Sequence, residues 1–403
     1  MDVAEISHSQ SYSIPVPVNL ECNVTVVVPV QNEAELLVNS LESLAFQIDI
    51  HNRRINPRLF EIFIFANNCT DDSAEIARHF IKIHQIPNVY VIEADLPPVH
   101  SNIGFIRRWL MNEAYLRLIK NHRKGGVILT TDGDTCVAPD WIAANLHEID
   151  NGADAVGGRI FIDPEELQEM DDKARRFHLQ DTGYRLLAAE LEARLDYVSY
   201  DYLPRHHQHF NGSFAVTTNA FRKAGGVPKV KFLEDVAFYH SLIRVDARFR
   251  HSPQVRVTTS ARRIGRTEAG LSTQLNQWSV MGENSENYFV ESAGSIEQRI
   301  SLRRKIRQLW QTSRTHFSKS ELSRFADKLF ISDENLKNYL QESSTFGGFL
   351  EKIYHQQAEQ GEWIKQYPLV IIEKALADLR TITNQKRIEA PQNLQRFCQT
   401  SRR

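Results

Sequence analysis

Apolar residues along the first third of the chain come in short unbroken runs, each closed by polar or turn-forming residues. Residues 23–30 (NVTVVVPV), 60–65 (FEIFIF), 89–93 and 127–131 (VILTT) read as four strands. Continuous rather than alternating apolar runs are expected where both faces of a strand are covered. Between them the period changes to that of helices: Leu36, Leu37, Leu41 and Leu44, then 74–83, then 101–118. Asn32 reads as the N-cap of the first helix, with Glu33 and Glu35 suited to its positive dipole end. Gly104, Arg107 and Arg108 fall near the start of the third. Strand, loop and helix repeated in this way predict a mostly parallel sheet with right-handed crossovers.

The fourth apolar run ends in Asp132-Gly133-Asp134. Ligands collect beyond the carboxyl ends of strands in open α/β sheets. Two carboxylates at such an end suit a hard divalent cation and the phosphates it bridges. The intervening glycine keeps bulk away from a diphosphate that must approach the backbone. Asp and Gly together also build ordinary turns, so the preceding strand is what gives the motif its weight.

Beyond Asp134 the pattern loosens. A short helix is expected at 141–149, a strand at 153–161 and a charged helical stretch from Pro164 to about Leu195. A strand-like stretch of tyrosines at 197–202, a strand at 211–216, a helix from 233 and an alternating strand at 254–259 follow. From about Gly270 onward helix formers with charged faces predominate, with amphipathic segments at 299–310, 318–329 and 361–383. The basic residues Arg299, Arg303, Arg304, Lys305 and Arg307 read as a solvated helical face, with contact to a membrane surface as the alternative. Three divisions are expected: a tail at 1–22, an α/β domain at 23–270 with halves at about 23–135 and 136–270, and a helical region at 271–403.

Composition changes this picture little. At 403 residues, 42% of them hydrophobic and 24% charged, the chain is of ordinary globular type with room for a large core. The 48 basic residues against 50 acidic ones leave a formal charge of −2, which argues against a nucleic-acid partner. Four scattered cysteines form no CxxC pair, so neither a disulfide framework nor a thiolate zinc site is expected. Residues 1–21 lack the basic start and apolar core of a signal peptide, and no run of roughly 18 apolar residues reads as a membrane span. A cytoplasmic location is therefore expected.

Five segments in order, Pro29-Val30-Gln31-Asn32-Glu33, Asn67-Asn68-Cys69-Thr70-Asp71, Asp132/Asp134, Glu234-Asp235 and Thr259-Ser260-Ala261-Arg262-Arg263, together with His209–Ala215 and Gly225-Gly226, carry a family resemblance. Over roughly residues 23–270 the chain resembles the family 2 glycosyltransferases of the GT-A fold, in a soluble bacterial branch. That resemblance implies a Rossmann-like, mostly parallel sheet flanked by helices, here with a C-terminal helical extension, and transfer of a sugar from a nucleotide-sugar donor to an acceptor hydroxyl. It places Pro29, Asn32 and Glu33 in the nucleoside pocket. Asn67 stands where the family often has a base-reading aspartate, which leaves the nucleotide open. It implies Asp132 at the ribose or metal, and Asp134 on Mn2+ or Mg2+ with the diphosphate. From the Glu234-Asp235 pair, Asp235 would be the general base of an inverting reaction. Arg262, Arg263 or Arg266 would face the leaving diphosphate, and Arg107 is a further candidate for the donor phosphates. His251 is a candidate third metal ligand, weighed against a plain strand-edge histidine.

The alternatives are a retaining transferase on the same fold and a catalytically inert nucleotide-sugar-binding or assembly protein. A nucleotidyltransferase fits less well, because Pro29-Val30-Gln31-Asn32-Glu33 is not a glycine-rich basic loop. The acceptor, peripheral membrane contact and self-association through the C-terminal helices are left open.

Overall fold

The computed structural model describes residues 14, 16–120, 125–262, 270–312 and 319–389. These fall into two units, one built from 1–170, 208–242 and 247–276, the other from 171–207, 243–246 and 277–403.

The first unit is organised by an eight-stranded sheet. In chain order its elements are β1 (Val24–Val30), α1 (Leu37–Ala45), β2 (Phe60–Asn67), α2 (Ser73–Ile83), β3 (Val89–Ala94), α3 (Ile103–Lys120), β4 (Val127–Thr130), β5 (Thr135–Val137), α4 (Trp141–Asp150), β6 (Ala155–Ile162) and α5 (Pro164–Glu169). Helix α6 (Asp172–Leu195) belongs to the second unit; β7 (Phe214–Thr217), α7 (Thr218–Ala224), most of α8 (Glu234–Arg244) and β8 (Phe249–Thr259) return to the first. The strand order is β3-β2-β1-β4-β7-β6-β8-β5. Strands β1 to β4 pair in parallel, β7 runs antiparallel to both β4 and β6, and β8 is parallel to β6. Every residue of β1, β2 and β4 is buried, as their unbroken apolar runs require. The parallel order reverses between β1 and β4, the switch point outside which α/β sheets open a ligand crevice.

Several local readings differ from the structure for identifiable reasons. Asn32 does not cap α1, which starts five residues later at Leu37; it has a left-handed backbone with φ 56°. The stretch 164–195 is two helices, because Asp163 and Asp171 each accept two backbone N–H groups as N-caps. Residues 197–202 form turns and bends, not a strand. Strand β8 starts at Phe249, well before the alternating apolar pattern, because its polar residues are buried with partners: Ser252 donates to Glu148 at 2.5 Å, and Arg250 pairs with the same carboxylate at 3.4 Å.

In the second unit, α6 packs with α10 (Ala293–Thr312) and α15 (Ile372–Glu389) around Leu191, Ile296, Ile300, Ala375 and Leu379. A two-residue antiparallel pair joins Val290 to Val370. The basic stretch on α10 is neither a solvated face nor a membrane-facing one at three of its five positions. Arg299 pairs with Glu291 at 2.7 Å, Arg303 with Glu192 and Asp196 at 2.7 Å each, and Arg307 with Asp196 at 3.1 Å. Four-residue spacing lines these arginines on the side of α10 facing those acids, while Arg304 and Lys305 are exposed. Among the described residues no helix is long and apolar enough to cross a membrane.

Candidate functional site

At the end of β1 the chain turns through Asn32, whose side chain oxygen accepts the Thr70 backbone N–H at 2.7 Å. The Glu33 N–H donates to Ser73 Oγ at 2.8 Å, and the Ala34 N–H donates to Asp71 Oδ2 at 3.1 Å. The loops after β1 and β2 are thus stitched together by the polar residues that the sequence places there. Beside them Asn67, the last residue of β2, is 2% exposed, and its Nδ2 is buried without a hydrogen-bond partner among the described residues. A buried amide donor left unpaired is costly.

The end of β4 lies alongside. Thr131 Oγ1 donates to the Gly212 carbonyl at 2.8 Å, and the Thr135 N–H donates to the Asp132 carbonyl at 3.2 Å, which closes a turn over Asp132-Gly133-Asp134. The motif is therefore both a turn and a pair of presented carboxylates. A Cβ on Gly133 would lie 3.0 Å from Val30 Cγ2, 3.2 Å from Glu33 Cγ and 3.3 Å from the Pro29 carbonyl oxygen. Glycine at this position leaves room for the β4 end to lie close against the β1 end.

Two arginines organise the carboxylates. Arg107 is buried on α3, its side chain 3% exposed. It reaches Asp132 Oδ1 at 2.5 Å, Thr130 Oγ1 at 2.6 Å, the Thr131 carbonyl at 3.4 Å and Glu234 Oε1 at 3.3 Å. Glycine one turn earlier makes this reach achievable: a Cβ on Gly104 would sit 2.0 Å from the Val230 carbonyl oxygen, so α3 presses directly on the backbone leading into α8. Burial weakens the charged guanidinium, but Asp132 and Glu234 outweigh it and hold Arg107 above its ordinary pKa. Its neighbour Arg108 is half-buried on the same helix, and burial lowers its pKa. Arg262, just past β8, donates to both oxygens of Glu33, the Nη2–Oε1 bond measuring 2.7 Å, and pairs with Asp134 Oδ2 at 2.9 Å. Arg263 and Arg266 lie outside the described residues.

At the start of α8 the two acids have different surroundings. Glu234 is buried and held by Arg107 and by Asn211 Nδ2 at 3.3 Å. Asp235 is half-buried and accepts its hydrogen bond from the Val236 backbone N–H at 2.8 Å; among the described residues no cation pairs with it. Burial and the adjacent Glu234 push the Asp235 carboxyl up to about 6, against the backbone hydrogen bond and Arg107. Burial, with Asp132 adding to it, pushes Asp134 up to about 6 against the pull of Arg262. Leu233, immediately before this helix, has φ 54°, a strained backbone for a non-glycine residue and one that collects at functional sites.

His251 lies in β8, 4% exposed, with its ring 4.8 Å from Phe249, 6.0 Å from Tyr239 and 6.5 Å from His209. Among the described residues no three His, Cys, Asp or Glu side chains are arranged to hold a metal ion. The oxygen donors that a divalent cation prefers are nevertheless present at the β4 end. Asp132 Oδ2 has no hydrogen bond among the described residues, and its side chain is 41% exposed. The donor set fits such a cation.

Thr130, Thr131 and Asn211 join the site without having been singled out in the sequence as site residues. The one signal for them was adjacency: two sit beside Asp132, and the third lies within the His209–Ala215 motif.

Residues 25–95 match the model of glycosyl transferase family 2. No curated protein matches the chain by sequence. Among solved structures the fold is similar to the mannosyltransferase PcManGT from Pyrobaculum calidifontis in complex with GDP-Man and Mn2+, at 14% identity, TM-score 0.40, and 95% and 89% coverage of this chain and that one. It is also similar to S. aureus TarS in complex with UDP (11%, TM-score 0.41, 84% and 92%). A third is the glucosyl-3-phosphoglycerate synthase from Mycobacterium tuberculosis in complex with Mn2+, UDP-glucose and phosphoglyceric acid (13%, TM-score 0.33, 72% and 85%). The matched segment spans β1 to β3, the first three strands of the sheet whose order reverses at the site, so the likeness to glycosyl transferase family 2 covers the β1 and β2 ends of that site.

Proposed function

We propose that the crevice at the ends of β1 and β4 binds a nucleotide-sugar donor and that Asp235 is the base of an inverting transfer to an acceptor hydroxyl. The observation that carries this reading is the Arg107 bridge. By holding Asp132 and Glu234 on one guanidinium, it brings the start of α8, and with it Asp235, beside the carboxylates of the β4 end.

Each residue then has a chemical task. Asn67 and the β1 end at Pro29, Asn32 and Glu33 receive the nucleoside, with the unpaired Asn67 amide as the base-reading group. Asp132 and Asp134 would hold Mn2+ or Mg2+. Such a cation offsets charge building on the departing diphosphate. Arg262 supplies further positive charge on that side, where a planar guanidinium matches phosphate oxygens. His251 is placed as an aromatic-cluster residue of β8 rather than as a ligand in this reading.

The acceptor oxygen attacks the anomeric carbon as the bond from that carbon to the diphosphate oxygen breaks. The bonding pair leaves with the diphosphate, and the acceptor proton passes to a carboxylate oxygen of Asp235. Glu234 is a poor competitor for that proton because Arg107 and Asn211 already occupy its Oε1. Asp235 has no such cation, and its carboxyl at about 6 makes it a stronger base than an ordinary aspartate, still ionised at neutral pH.

The test is the anomeric configuration of the glycoside made from whichever nucleotide sugar the protein turns over, read by NMR from the one-bond carbon–proton coupling at its anomeric centre. Inversion is expected. Retention would remove Asp235 as the base and favour a retaining transferase.

A further inference from the structure

The Arg262 ion pairs have a second meaning, which rests on the donor-site reading above. Glu33 and Asp134 come from different strand ends, their side chains are 6% and 13% exposed, and one guanidinium neutralises both. Among the described residues Arg262 is the one cation paired with Asp134. It donates to both Glu33 oxygens and to Asp134 Oδ2, so it sits against the carboxylate that a divalent cation would need. Two cations cannot share so small a half-buried space without strong mutual repulsion. Glu33 also packs over Gly133, which keeps its carboxylate beside the motif.

We infer that Arg262 is the resident cation of the donor site: it holds Glu33 and Asp134 while the site lacks donor, and it yields Asp134 to the divalent metal when a diphosphate offers the guanidinium a new partner. Metal alone then binds weakly, because it must separate Arg262 from Asp134 and leave the guanidinium with Glu33 only. Metal and diphosphate together bind well, because each supplies what the other displaces.

Binding of Mn2+ alone is measured through the loss of its free-ion signal in electron paramagnetic resonance, which needs neither donor nor acceptor identity. Arg262→Ala is expected to bind Mn2+ about tenfold more tightly than the wild type. Arg262→Lys, which keeps the charge but loses the two-pronged geometry, falls between them. Arg256→Ala makes the same charge change on the exposed side of β8, at a residue 3.9 Å from Asp140, and is expected to match the wild type within about twofold. Adding Asp134→Asn to Arg262→Ala removes the gain. Mn2+ affinity of Arg262→Ala equal to or below wild type, or a gain that survives Asp134→Asn, overturns the inference. If the wild type still binds UDP or GDP in a Mn2+-dependent way, only this inference falls. If it binds neither, the donor-site reading falls with it.

Discussion

Asp235→Asn is expected to lower glycosyl transfer by about 10²–10⁴-fold while leaving nucleotide affinity within about twofold. The amide keeps the size of the carboxylate and its acceptor oxygen for the Val236 N–H, but it cannot take the acceptor proton. The wild-type rate should also carry a pH signature. Its carboxyl is raised to about 6 by burial and by Glu234, so transfer should fall as pH drops through that value and the base becomes protonated. Stability runs the other way. A carboxyl whose folded pKa lies above its unfolded value contributes most when protonated, below the ordinary aspartate range, and loses that contribution as pH rises through about 6. Asp235→Asn should therefore be at least as stable as the wild type at pH 8, an advantage that shrinks toward pH 5. A variant that loses activity together with stability at pH 8 would show that Asp235 serves the fold instead.

The largest expected effect on stability is at Arg107. Arg107→Met leaves Glu234, 7% exposed, as a buried carboxylate whose remaining partner among the described residues is the Asn211 amide, and frees Asp132 from its ion pair. Breaking a buried pair in this way costs about 3–5 kcal/mol. Chemical denaturation should show that loss, and turnover should fall because the start of α8 is no longer tied to the β4 end. Glu234→Gln in the same chain should recover part of the stability, since it removes the stranded charge, so the double variant costs less than the sum of the singles. Additive losses, or a loss below about 1 kcal/mol for Arg107→Met, would show that the bridge does not hold the site together.

What the sequence made legible follows from how local each cause is. Strands β1, β2 and β4 were visible as unbroken apolar runs, because a strand covered on both faces must be apolar at consecutive positions. The first half of β8 was not, since Arg250 and Ser252 are buried against Glu148, about a hundred positions away in the chain. Strand β5 was missed because three residues carry no period. The site divides in the same way. Asp132, Asp134 and the Glu234-Asp235 pair stood out as local motifs at element ends. The ion pairs of Arg107 and Arg262 did not, because the partners lie 25 and 127 residues from Arg107 and 229 residues from Arg262. Local pattern marks where chemistry is offered, while the close approach of α3 to α8 and of β1 to the residues after β8 decides which carboxylates remain unpaired.

That the β1 and β4 ends form a nucleotide-sugar site is tested most directly by thermal denaturation across a panel of uridine- and guanosine-diphosphate sugars, with and without Mn2+. A ligand that binds only the folded chain raises its melting temperature by mass action. The account predicts that at least one donor raises it, more strongly with Mn2+ than without, and that Asp134→Ala abolishes the Mn2+-dependent part. No shift with any donor, or an equal Mn2+-dependent shift in Asp134→Ala, would contradict it.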